Sequence, residues 1–349
     1  MQVINPILEN NLIDSLIRSF PRSTLQLNKP HESDAELVRI PGTDAIIAIT
    51  TDSICEEIER GLYTDPYLIG YMIITINVSD LAAVGAVPIG LVLNHTLTHK
   101  LSDDFLEKLN QGITDACLKY SVSILGGDTN FSTRLQVSAT AIGYCSTDRV
   151  LSRKGCRVGD ILFSSGRLGN GNVFAFQQLG NESKSEIEYR PTARIREGAI
   201  VSKYASSCID TSDGCMAAVD QLMRVNAVGA KITTSMNDYL SESSIQLCRQ
   251  HSLPEWYMLA GPHGEFELLF TIPSVAVEKF MEHAHSADWQ PIVLGVMTEE
   301  QKITLQYRND FVSFNTEHIR NICFGDHGDL HYYLSEFKKL EQTLEGGIS

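Results

Sequence analysis

Aspartates recur in this chain at one kind of place, the end of an apolar run beside Thr, Ser or Gly. They are Asp52 in ITTDS, Asp80 in NVSD, Asp128 in LGGDT, and Asp210 with Asp213 in IDTSDG. Each stretch alone reads equally well as turn chemistry, since glycine supplies positive φ and aspartate bonds its own backbone. A turn does not explain the recurrence. Apolar elements end where these carboxylates stand, so a fold that gathers those ends brings several of them to one face. Crowded carboxylates repel unless protonated or bridged by cations, and an oxygen-only set with almost no histidine favours Mg²⁺ or Mn²⁺ over zinc. Mg²⁺ completed by phosphate oxygens is a common arrangement in ATP chemistry.

The runs between these aspartates alternate in type. DAIIAITTDS (44–53) is expected as a strand and YMIITINVSDLAAVGAVP as a helix stopped by Gly85 and Pro88. PIGLVLNHTLT then reads as a strand, SDDFLEKLNQGITDACLKY as a helix capped by Ser102, and VSILGG and RLQVSATAIGYC as strands. After a polar, basic stretch at 146–157 the alternation restarts: a strand, the GRLGNG loop and an apolar helix within GDILFSSGRLGNGNVFAFQQL. SSCIDTSDGCMAAVDQLMRV follows as strand, acidic turn and amphipathic helix, then strands in GEFELLFTIP and WQPIVLGVMT, and a polar helix after Tyr333. At 349 residues the chain exceeds what one core usually holds, so an α/β (α+β) protein of two domains, 1–148 and 149–349, is expected.

Composition narrows the ligand. Acidic residues outnumber basic ones by 43 to 28, a formal net charge of −15, which excludes a nucleic-acid backbone as partner and leaves small molecules. No apolar run is expected to span a membrane, and the first residues lack the basic flank of a signal peptide, so a cytoplasmic location is the default. Eight cysteines without a C-x-x-C pair read as reduced core thiols. GRLGNG lacks the Gly-Lys-Ser/Thr of a phosphate loop and the dinucleotide G-x-G-x-x-G spacing. His95 and His99 lie in a strand pattern too sparse for zinc, and Trp256 and Tyr257 read as core.

Five blocks, TTDS, NVSDLAAVGAVP, LGGDT, LSRKGCRVGD and IDTSDG, in this order over roughly residues 30–330, carry a resemblance. The chain resembles the thiamine-monophosphate kinase family, within the superfamily of aminoimidazole ribonucleotide synthetase, selenophosphate synthetase and the hydrogenase maturation dehydratase. The resemblance implies a two-domain fold whose first domain closes a β-barrel with its twin in a homodimer, with ATP near the interface. It implies Mg²⁺ ligation by Asp34, Thr50, Thr51, Asp52, Asp80, Asp128, Asp210 and Asp213. Nucleotide contacts are implied from Arg153 and Ser212, with Gly126 and Gly127 beside them. Asp52, Asp128 and Asp213 stand at the centre of the implied phosphoryl transfer from ATP to a small acceptor.

The chain also departs from the family's pattern. Ser33 in ESDAEL replaces one of two adjacent aspartates, Glu59 stands where a substrate-contacting histidine is expected, and Gly264 in GPHGEFELLF replaces a glutamate. Glu59, Glu265 and Phe324 are the candidate acceptor contacts. Negative charge at Glu59 would disfavour an anionic acceptor such as thiamine monophosphate. Two other readings remain open here: an ATP-dependent synthetase or dehydratase activating an amide-type oxygen, and a nucleotide-binding homologue without turnover. The chain ends EGGIS, without the terminal cysteine of the dehydratase branch, and its first cysteine, Cys55, lies outside any N-terminal glycine-rich loop.

Overall fold

The computed structural model describes residues 7–145, 150–180, 189–307, 310–325 and 329–346. Its strands form two sheets, one in each half of the chain. The first contains β1 (Glu36–Arg39), β2 (Ile46–Ser53), β3 (Val87–Thr98), β4 (Ile124–Ser132) and β5 (Gln136–Cys145), in the order β1-β2-β5-β3-β4. The second contains β6 (Ile161–Ser164), β7 (Ser207–Asp210), β8 (Gly229–Ile232), β9 (Leu268–Ile272), β10 (Ile292–Thr298), β11 (Ile303–Tyr307) and β12 (Asp310–Phe314), in the order β12-β11-β8-β10-β6-β9-β7. The helices that bear on the site are α1 (Leu8–Ile17), α2 (Cys55–Glu59), α3 (Pro66–Ala83), α4 (Asp103–Tyr120), α5 (Asn170–Leu179), α6 (Ile195–Val201) and α7 (Cys215–Asn226), with a later one at Thr316–Gly325.

Helix α3 is the hub. Asp65 caps it, accepting the Tyr67 amide at 3.1 Å, with Pro66 as its first residue. Gly85 at φ +65° lets the chain turn away, its amide and that of Ala86 closing on Ala82 and Leu81. The helix has no polar face; 15 of its 18 residues are buried. It is long and apolar enough to cross a membrane, contrary to the expectation that no such run exists, yet its burial inside the protein makes it a core helix. It crosses α4 at a contact of backbone on backbone. A Cβ on Gly70 would meet the Leu109 carbonyl at 2.0 Å, and one on Gly112 would meet that of Tyr67 at 2.0 Å.

The two halves interlock. Phe174, Ala175, Tyr189 and Phe266 pack into the core of the first sheet, while α1 lies against the later helix Thr316–Gly325. Residues 8–17 therefore sit on the second half, across the expected division, and the point 148/149 itself falls outside the described residues. Several expected elements shift. The strand expected in GEFELLFTIP starts only at Leu268, because Phe266 adopts φ +60°, and the last helix begins at Leu330 rather than after Tyr333. All eight cysteines are free, five of them buried. His95 lies on β3 and His99 just beyond it, stacked on Phe131. Trp256 and Tyr257 are core residues.

Candidate active site

Three carboxylates from distant parts of the chain converge. Asp34, from the loop before β1, Asp80, in the last turn of α3, and Asp210, at the end of β7, each offer an oxygen, and the three atoms lie within 4.8 Å of one another. Local structure fixes each one. Arg153 donates to Asp34 at 2.9 Å, while the Arg153 amide binds the Glu32 carbonyl at 2.9 Å. Thr50 on β2 donates to Asp80 at 2.5 Å. Ser79 donates to Asp210 at 2.6 Å, and Ser212 gives the same carboxylate both its hydroxyl (2.8 Å) and its amide (3.2 Å). The Asp52 amide donates to Asn77 of α3 at 3.1 Å.

Crowding perturbs these groups in one direction. Burial and then its carboxylate neighbours, Asp52 first, hold Asp80 well above the ordinary carboxylate range. Asp52, on the cleft wall, is raised to about 7 by surrounding protein and then by Asp210 and Asp213. Burial and Asp34 bring Asp210 to about 6, and burial and Glu9 bring Asp213 to about 6. Carboxylates so crowded either hold protons or are bridged by a cation.

A cavity of about 410 Å³ opens on the cluster, walled by Asp34, Asp52, Asp80, Arg153, Ser212 and Asp213 and, on its apolar side, by Tyr63, Phe174 and Tyr189. Beside it is a second cavity of about 240 Å³, which Asp213 also lines and where Arg60, His263, Arg320 and Phe324 form the wall. His263 is neutral there, since burial and then Arg60 push it down to about 4.

Other expected site residues are placed elsewhere. Register pairs Asp52 with Ala139, Ala139 with Leu93, and Leu93 with Gly127, so this row crosses the sheet from β2 to its edge at β4. Paired residues share a face and neighbours alternate. Asp128 is therefore about 14 Å away across three strand spacings, on the opposite face. It is exposed, with Asn130 donating to it at 2.8 Å, and Gly126 and Gly127 share its edge strand. Within one chain these three do not join the cluster.

Thr51 lines the cleft, but its hydroxyl is engaged with Ala139 (3.0 Å) and Thr140 (3.1 Å) across the sheet. Glu59 turns outward to Arg134 at 2.8 Å and lines neither cavity; Glu57, on the other side of α2, lines both. Glu265 lies behind the glycine-rich loop. It accepts the Gly169 amide at 2.8 Å, is 5% exposed, and burial raises it to about 8. That bond, and one from the Leu168 amide to the Tyr239 carbonyl, occupy two backbone donors of the loop.

Residues 32–145 match the family described as AIR synthase related protein, N-terminal domain. Fold and site together define the class, a two-sheet α/β protein with an acidic cleft between its halves, its first half matching an AIR synthase-related domain. Among curated proteins, the chain is 29% identical over 246 residues to a thiamine-monophosphate kinase of Aquifex aeolicus, covering 68% of this chain and 79% of that one. It is 28% identical over 283 residues to that of Methanocaldococcus jannaschii, covering 75% and 86%. Among solved structures, "AaThiL complexed with AMPPCP and TMP" aligns over 87% of this chain and 94% of that one, with a TM-score of 0.69 at 23% identity. A HypE–HypF complex structure aligns over 87% and 98%, with a TM-score of 0.71 at 17% identity. The structural likenesses establish the fold. The chain carries an AIR synthase-related N-terminal domain and is similar over most of its length to thiamine-monophosphate kinases.

Proposed function

We propose that this chain is a Mg²⁺-dependent phosphotransferase that moves the γ-phosphoryl group of ATP to a small-molecule acceptor. Convergence of Asp34, Asp80 and Asp210 within 4.8 Å carries the reading. The donor set fits a hard dication: it is all oxygen, one of its atoms, Asp34 Oδ2, is buried without a hydrogen-bond partner, and its charges repel until bridged. Asp34, Asp80 and Asp210 would hold the ion, with Asp52 and Asp213 on the cleft wall and Thr50 and Ser212 as orienting hydroxyls. When bound, Mg²⁺ neutralises phosphate oxygens. Phosphoryl transfer asks little covalent chemistry of a protein, so the chain's own part is to hold donor and acceptor in line and to meet phosphate charge with Arg153.

Glu59 was the electrostatic objection to an anionic acceptor. It points away from both cavities, and the smaller one is lined by Arg60 and Arg320 together with Glu9, Glu56, Glu57 and Asp213, so thiamine monophosphate, which the relatives' name supplies, is the first acceptor to try, with Mg²⁺ present to offset that negative charge. We further propose a cytoplasmic homodimer. Every residue of the edge strand β4 is exposed, with Leu125 and Phe131 more than half so, and β3 adds Val87, Ile89 and Val92. Asp128 lies on this surface, and its part in catalysis rests on the twin sheet covering it.

The test is ADP formation from Mg²⁺-ATP with and without thiamine monophosphate, alongside binding of AMPPCP. A protein that neither binds Mg²⁺-AMPPCP nor consumes ATP with any phosphate, carboxylate or alcohol acceptor would overturn the proposal.

A further inference from the structure

The smaller cavity carries two guanidiniums, each met by a glutamate on the same wall. Arg60 pairs with Glu56 at 2.6 Å, one helical turn away. Arg320, 10% exposed, donates to Asp220 and Gln221 of α7, each at 3.0 Å, and faces Glu9 of α1 at 3.4 Å. Asp220 is fully buried and also takes Arg224 at 2.7 Å and the Thr316 hydroxyl at 2.6 Å. One carboxylate thus serves two guanidiniums, and Arg320 keeps positive charge for the cavity side. Two anions face it there: Asp213, which lines the same cavity, and Glu9, the one of the two that pairs with it, which also lines the larger cavity.

The helix carrying Glu9 is lightly attached. None of the ten residues of α1 is buried. Ile7, buried just before the helix, anchors its start; the ties of the helix itself include the Leu8 amide to Asn321 at 2.9 Å, Asn10 to Gln221 at 3.4 Å, Asp14 with His31 at 2.9 Å, and Glu9 with Arg320. Leu8, Leu12 and Leu16 form a stripe turned to solvent. A long ion pair whose carboxylate is 38% exposed contributes little to stability and yields to a better-placed anion.

We infer that Arg320 is an anion-binding residue of the acceptor pocket, and that Glu9 is a latch occupying it until a phosphate-bearing ligand displaces the carboxylate and loosens α1. The choice of a phosphate-bearing ligand rests on the phosphotransferase reading; the latch itself rests on the geometry around Arg320. A phosphate matches the forked donors of a guanidinium better than a single carboxylate held at 3.4 Å.

The full-length protein and its Glu9→Gln variant are titrated by calorimetry with inorganic phosphate, thiamine monophosphate and thiamine. Phosphate and thiamine monophosphate should bind the variant roughly fivefold or more tightly than the parent, while thiamine, the same body without the phosphate, binds both alike. Amide exchange across residues 8–17 of the parent should quicken with phosphate or thiamine monophosphate and not with thiamine. Arg320→Gln should erase the preference for thiamine monophosphate over thiamine; if that variant folds poorly, the Glu9→Gln titration decides alone. Unchanged affinity of Glu9→Gln for both phosphate and thiamine monophosphate, or an equal gain for thiamine, overturns the latch. Failure of the parent to bind Mg²⁺-AMPPCP sinks the phosphotransferase reading instead, and the phosphate titration still decides the latch.

Discussion

Ser79 donates a 2.6 Å hydrogen bond to Asp210, fastening the last turn of α3 in the first half to the end of β7 in the second. Both residues are buried, so neither can turn to water if the bond is lost. Ser79→Ala should lower stability by about 1–3 kcal/mol and weaken Mg²⁺ binding, because Asp210 loses a donor that favours its charged form. Denaturant midpoints and a Mg²⁺ titration check both parts.

Proton linkage gives a second expectation. Asp52, Asp210 and Asp213 keep their protons to about 7, 6 and 6, against an ordinary 3.8. A carboxyl with a raised folded pKa binds more protons folded than unfolded between those values. Its contribution is therefore complete below the unfolded pKa and is lost as pH climbs through the folded one. Metal-free protein should lose melting temperature from about pH 4 to pH 7, and Asp52→Asn or saturating Mg²⁺ should flatten that loss. Parallel profiles for parent and variant would contradict the linkage.

Arg153 answers a buried charge. Asp34 has no exposed side-chain surface, and this guanidinium donates to it at 2.9 Å. Arg153→Gln should cost about 3 kcal/mol or more, and adding Asp34→Asn should recover much of it, because the double variant leaves no buried charge behind. A thermodynamic cycle over the four proteins measures this.

On the edge strand, where the proposed homodimer would close, Phe131→Glu should give a monomer by analytical ultracentrifugation and abolish turnover while leaving the melting temperature within a few degrees of the parent. Asp128→Asn should abolish turnover with the dimer intact. Full activity in a monomeric Phe131→Glu protein would separate Asp128 from the reaction.

Glu59→Gln should leave the acceptor KM unchanged and cost no more than about 0.5 kcal/mol, as expected for an exposed pair with Arg134. Glu265→Gln, which mimics the protonated form favoured by a pKa of about 8, should fold normally at pH 7, whereas Glu265→Ala strands the Gly169 amide and should destabilise. Melting curves distinguish the two.

The strands and helices around the aspartates were legible because hydrophobic periodicity and turn residues mark them locally: α3 with its Gly85 stop, α4 with its Ser102 cap, and the carboxylates at β2, α3 and β7. Asp128 shares their local signature and still lies elsewhere, since a motif at a strand end does not tell which strand becomes the sheet edge or which face the side chain takes. Glu59 lines neither cavity, whereas Glu57, two positions earlier and on the other side of α2, lines both; a helix of five residues is too short for its sequence to show which side faces the cleft. Glu9 and Arg320 gave no sign at all, because only tertiary folding brings the two ends of the chain together.

The glycine crossing of α3 on α4 has one further consequence. With Gly70 and Gly112 seated against opposing carbonyls, α3 has no slack to slide or tilt, so Asp80 at its tip is set like a fixed jaw. A jaw that cannot widen gauges the radius of what it grips. Calcium, which needs longer bonds and more oxygens than magnesium, should be discriminated against by the rigidity of a helix crossing far from the ion.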